Sequence, residues 1–183
     1  MRTVVARSRR GIAVVAALAA ASACGPAPDP GGHAAAPDNV AATQAAPCTT
    51  NELTADLQAQ HPAAGGRYAV IRLSKTTGGT CTLHGYGRIR LVGQDGRAVP
   101  TRIRREAGPE PAPVRLERGT AARQHLRWGV VPVGDEPVTG PCQPPPGHLD
   151  LVPPGGGEPL RVSWSYGPVC GHGTITVSPY QPW

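Results

Sequence analysis

The groups able to do chemistry in this 183-residue chain are six histidines, twelve carboxylates and five cysteines. Their spacing carries none of the common catalytic or nucleotide-binding signatures. There is no Gly-x-Ser-x-Gly elbow, no His-Glu-x-x-His pair, no P-loop and no Gly-x-Gly-x-x-Gly turn. Three histidines remain as candidates for acid–base or metal chemistry. His125 lies between Arg123 and Arg127 at alternating positions, which makes it the most site-like of them and also a plain solvent-facing strand residue. His172 forms a Cys-x-His step with Cys170, and a metal site there would need His148 to approach. That spacing matches no zinc ribbon or finger, so no metal and no cofactor are expected. His33 falls in a Pro-rich stretch and is expected to be inert.

The cysteines separate into four and one. Cys48, Cys81, Cys142 and Cys170 allow three pairings, of which Cys48–Cys81 and Cys142–Cys170 are expected. The first pair would pin an N-terminal helical turn to the second strand, and the other a long Pro-rich loop to the last hairpin. Each closes a loop of about 30 residues, for which chain entropy gives about 3–4 kcal/mol. Disulfides imply an oxidising compartment and compensate for a thin core in a chain without Phe.

The fifth, Cys24, follows a leader. Arg2, Arg7, Arg9 and Arg10 precede a run of small apolar residues from Gly11 to Ala23, shorter than the ~20 residues needed to span a bilayer. Residues 1–23 are therefore expected to be a signal peptide. Ser8-Arg9-Arg10-Gly11-Ile12 resembles a twin-arginine export motif, so the general and twin-arginine routes both stay open. Ala21-Ser22-Ala23-Cys24 resembles a bacterial lipobox. The resemblance implies a Cys24 thiol carrying a diacylglyceryl group, and lipidation accounts for the odd cysteine. Membrane anchoring through lipid follows, with plain secretion as the alternative. Residues 24–47 then form a disordered Ala/Pro/Gly tether. Its mean reach is about 25–30 Å, and Pro-rich extension allows about 70 Å.

Groups on a folded domain must be positioned by elements, and residues 48–183 supply them. Gly and Pro together are about a quarter of the chain, which argues against a helical bundle. Thr49 and Glu52 match a capping box, and Leu53 and Leu57 follow at helical spacing, so a short helical turn is expected to open the domain. After it the apolar period is two. Ala69, Ile71 and Leu73 alternate, then Cys81 to His84, then Arg88 to Leu91. Asp95-Gly96 reads as a hairpin turn returning through Ala98 to Arg104. Val114 with Leu116, Leu126 with Trp128, Leu149 with Leu151, Leu160 with Val162 and Trp164, and Ile175 with Val177 complete about nine short strands. The expected class is all-β: an antiparallel β-sandwich, immunoglobulin-like, with a barrel as the alternative.

The order of these features resembles a family of actinobacterial secreted lipoproteins built on a single domain of unknown function. The resemblance rests on Cys81-Thr82-Leu83-His84-Gly85-Tyr86, on Val114 to Gly119, on Ala121 to Trp128, and on the placing of Cys142 and Cys170. It covers Cys48 to Val177 and carries no catalytic residues to transfer. The formal charge of +6 falls to +2 without the four leader arginines, too little to argue nucleic-acid binding. Alternation nonetheless turns arginines outward, Arg88, Arg90, Arg102 and Arg104 foremost on one hairpin, with Arg115, Arg123, Arg127 and Arg161 elsewhere. Arg forks suit phosphates and carboxylates. The functional expectation is a cell-envelope lipoprotein with a non-enzymatic binding or structural domain, its partner an anionic wall component or an envelope protein. An extracytoplasmic enzyme or metal-site protein using His125, His148 or His172 is the alternative.

Overall fold

The computed structural model describes residues 45–59 and 64–183. The expected signal peptide, Cys24 and most of the expected tether lie outside the described residues. Twelve strands are formed: β1 (Leu53–Ala59), β2 (Gly66–Lys75), β3 (Cys81–Leu83), β4 (Arg88–Gly93), β5 (Ala98–Val99), β6 (Arg102–Arg105), β7 (Val114–Leu116), β8 (Ala121–Gly129), β9 (Pro146–Val152), β10 (Leu160–Ser163), β11 (Thr174–Val177) and β12 (Gln181–Pro182). One sheet runs β1-β2-β8-β11-β6 with β12 also on β8. A second runs β10-β9-β4-β5, and β3 pairs with β7. Alternating inner faces close on one core. Ile71, Leu73, Leu126, Trp128, Ile175 and Val177 come from the first sheet, and Ile89, Leu91, Leu149 and Leu151 from the second. Trp128, Trp164 and Tyr166 pack together in tilted and edge-to-face arrangements, with ring centroids 4.8 to 5.8 Å apart. The fold is an all-β sandwich.

The N-terminal helical turn is shorter than expected. Glu52 accepts the Thr49 N–H and hydroxyl, both at 3.0 Å, but the turn it caps is only the 3-10 turn Thr50–Glu52. Leu53 and Leu57 belong to β1 instead. A spacing of four fits a strand face as well as a helix face. Thr54, Asp56 and Gln58 are exposed between them, and antiparallel pairing to β2 from Leu53–Lys75 to Ala59–Ala69 decides the matter.

The Asp95-Gly96 hairpin also departs from expectation. Its returning strand pairs with β4 only at Ala98 and Val99. Pro100 has no N–H for the ladder. The Leu91 N–H bonds to the Thr101 hydroxyl at 3.0 Å, and that hydroxyl donates to the Val99 carbonyl at 2.8 Å. The chain then leaves this sheet, and β6 lies parallel to β11 in the other one, a parallel pair in an otherwise antiparallel arrangement.

Cys48 is joined to Cys81 and Cys142 to Cys170. The first disulfide ties the chain entry to β3. There the Thr82 N–H bonds to the Ala46 carbonyl at 2.8 Å, so the last residues of the expected tether are held by the domain. The C-terminal tail is ordered too: Gln181 and Pro182 pair with Arg123 and Ala122 of β8.

Candidate functional site

The outer face of the six-stranded sheet is where unpaired charge collects. Leu126 and Trp128 of β8 point into the core, which forces Arg123, His125 and Arg127 outward. Cross-strand register sets their neighbours. Arg127 lies between Tyr68 of β2 and Thr176 of β11, and Thr176 in turn faces Arg104 of β6. Arg102 faces Thr174 one pleat further on, and Arg72 lies directly opposite Arg123. Tyr68, Arg104, Arg105, His125, Arg127, Thr176 and Ser178 line a concavity of about 720 Å³, with Glu106 as the one carboxylate in its wall. The Arg127 guanidinium sits 5.6 Å from the Tyr68 ring centroid, and the Arg72 guanidinium 4.9 Å from that of Trp183, so both cations lie over aromatic rings.

Among the described residues none of Arg72, Arg102, Arg104, Arg123 and Arg127 makes an ion pair. Several arginines elsewhere differ, though Arg88 and Arg118 also make no ion pair. Arg90 of β4 and Arg161 of β10 converge on Asp150 of β9, at 2.9 and 3.8 Å. Arg115 of β7 meets Glu117 at 3.6 Å. Of the four arginines expected on one patch, Arg88 and Arg90 are therefore in one sheet, while Arg102 and Arg104 are in the other. They do not share a face, because Pro100 ends the hairpin and carries β6 across the sandwich. The set without an ion pair is Arg102 and Arg104 with Arg123, Arg127 and Arg72, the last with Asp56 opposite it on β1.

The three candidate histidines stand apart. His125 is on the basic face. His148 lies on the outer face of the other sheet, its Nε2 at 3.4 Å from Asp150. His172 sits in the short turn Cys170–Gly173, its Nε2 at 3.4 Å from Asp135. Cys170 spends its sulfur in a disulfide, so the Cys-x-His step is not a ligand pair.

Glu136 and Lys75 are buried charged groups; the sequence allowed Glu136 as a local neutraliser of the arginines, but it is held by N–H donors instead. Glu136 is buried inside the loop between β8 and β9, and its carboxylate accepts N–H bonds from Val133 (2.9 Å), Gly171 (2.9 Å), His172 (2.7 Å) and the Gln143 amide (3.1 Å). Burial alone would push its carboxyl up, but the four donors outweigh that and hold it at about 2. Gly171 and His172 have positive φ, 69° and 55°, which turns their N–H groups together toward this carboxylate. Glu136 also lies close to both sulfurs of Cys142 and Cys170, but the sulfurs are bonded to each other and the carboxylate is already saturated. Lys75 is 1 % exposed, and its ammonium donates to Glu52 at 2.9 Å and to the Thr77 carbonyl at 2.8 Å. The Thr49 N–H first, and then Lys75, lower the Glu52 carboxyl to about 2.

A second concavity, of about 750 Å³, lies against Ala45, Pro47, Pro113 and Pro154, with His84 as its one titratable group. It offers little to recognise an ion. No helix among the described residues is long and apolar enough to cross a membrane, and two disulfides fit an oxidising, extracytoplasmic setting.

Comparison with known proteins gives one match. No curated protein and no solved structure matches the chain. Residues 48–181 match a family model described as a domain of unknown function, DUF4232. That stretch runs from the first disulfide cysteine to the start of β12 and takes in every basic residue of the outer face, and over it the chain belongs to the DUF4232 family.

Proposed function

We propose that this domain is a non-enzymatic binding module of the cell exterior, and that the outer face of the six-stranded sheet takes an anionic envelope component. One contrast carries the reading. Arg90, Arg97, Arg115 and Arg161 on other surfaces each meet a carboxylate, although Arg88 and Arg118 do not, whereas Arg102, Arg104, Arg123 and Arg127 gather on one face with no ion pair among the described residues. A general bias toward arginine would scatter such residues without regard to neutralisation. Arg72, by contrast, has Asp56 of β1 opposite it on one side and Arg123 on the other, so the reading rests on Arg104 and Arg127. Dispersal of His125, His148 and His172 over separate surfaces supports binding over catalysis.

The test is charge reversal. Arg104→Glu with Arg127→Glu is expected to weaken binding to a soluble glycerol-phosphate polymer at least tenfold at low salt, with the contrast shrinking as salt rises. Both side chains are exposed, so the thermal midpoint should hardly move. Equal retention of the variant and the unaltered domain on the polymer at low salt sinks the proposal.

The lipid anchor belongs to the same reading, because it would hold the basic face within reach of membrane and wall. Cys24→Ala is expected to release the protein from the membrane fraction into the medium. A variant that still sediments with membranes as the parent does would remove Cys24 from the account.

A further inference from the structure

The basic concavity does not end at its arginines. Tyr68, Arg127 and Thr176 also line a smaller hollow of about 280 Å³, whose remaining wall includes Trp128, Val131 and Val133. Val131 and Val133 are 56 % and 50 % exposed, and Val138, further along the same loop, is 86 % exposed. Exposed apolar side chains on mobile loops mean little, but this loop is held. The Cys142–Cys170 disulfide anchors its far end, and the Val133 N–H is bonded to buried Glu136 at 2.9 Å. A firmly held apolar wall therefore continues directly from a cleft in which Arg104 and Arg127 make no ion pair and Glu106 is the one carboxylate.

We infer that the ligand is an anionic lipid, presented at a membrane surface, with its phosphate between Arg104 and Arg127 and its apolar portion against Val131 and Val133. This deepens the proposed anion-binding function and rests on it. Charge complementarity selects the headgroup, since two guanidinium forks flank one hydroxyl, that of Thr176, across three adjacent strands. The valines supply what a purely ionic polymer would leave unused, namely apolar surface to remove from water. Exposed Asp135 at the loop tip, next to His172, sets the depth: the loop rests among headgroups rather than in the acyl layer.

The experiment uses the oxidised chain from Gly25 to Trp183, which contains both disulfides and the entire described core but no lipid of its own. It is sedimented with phosphatidylglycerol vesicles and with phosphatidylcholine vesicles, and separately titrated with soluble glycerol-phosphate polymer. Sedimentation with the anionic vesicles alone is expected. Val131→Ser with Val133→Ser should cut that sedimentation at least tenfold and leave polymer binding unchanged. Both positions are half-exposed, so folding is not at stake, and a thermal midpoint checks it. If the serine variant sediments as the parent does, or if the parent binds polymer but neither vesicle, the lipid inference is overturned while anion binding stands. If the parent binds neither polymer nor anionic vesicle, the anion-binding reading falls with it.

Discussion

Reduction of both disulfides is expected to lower the unfolding free energy by about 7 kcal/mol, enough to unfold most domains of this size, whose total is about 5–15 kcal/mol. The bonds span sequence separations of 33 and 28 residues, and chain entropy assigns each about 3.6 kcal/mol. The two act in different places. Without Cys48–Cys81 the chain entry is left to the hydrogen bonds of Ala46 and Cys48 on β3. Without Cys142–Cys170 the long loop after β8 is left to the hydrogen bonds of Glu136 and to the Val130 N–H on the Gly65 carbonyl. Urea melts with and without reductant measure the sum, and Cys142→Ser with Cys170→Ser isolates the second bond at roughly half of it. A reduced domain with an unchanged urea midpoint would show that the core alone suffices.

How much of this was legible in the sequence depends on whether the pattern was local. Alternation along β2, β8 and β11 was readable because each strand has one buried face, and it placed Trp128 inward and Arg123 and Arg127 outward. The same alternation runs Ala69, Ile71, Leu73, Lys75, so the single lysine stood at an inward position that only a buried partner could satisfy. Glu52, 23 residues earlier, gave no sign of being that partner. Leu53 and Leu57 misled because their spacing serves two periods. Pro100 was visible as a break, but its consequence, the crossing of β6 to the opposite sheet, depends on which edge is free, and that is a property of the assembled fold. The basic face was divided for the same reason: single strands fix which side a residue takes, while sheet membership fixes which residues share that side. Glu136 was the least readable group of all. Two of its donors, Gly171 and His172, come 35 and 36 residues later, from a left-handed turn that no local pattern announces.

That carboxylate is also where the largest pH effect is expected. With its carboxyl held at about 2, against an ordinary value of 4.5, Glu136 contributes stability that is fully present above about pH 4.5. The contribution is lost as pH falls through 2, since protonation removes the charge that four donors address. The shift corresponds to about 3 kcal/mol at 1.4 kcal/mol per unit. A hydrogen-bond estimate agrees. Glu136→Gln keeps the shape but puts an amide NH₂ where an oxygen received N–H bonds, orphaning one or two buried donors at about 1–3 kcal/mol each. The variant should therefore be less stable than the parent by about 3 kcal/mol at pH 7, with the gap closing as pH approaches 2. Glu52, also lowered to about 2, titrates in the same window in both proteins and cancels from the difference. Denaturant midpoints for the pair at pH 7, 4 and 2 decide it. A gap of the same size at all three values would mean that the loop is held by shape and not by the charge of Glu136. A gap that closes would identify this carboxylate as what fixes Val133 beside the basic cleft.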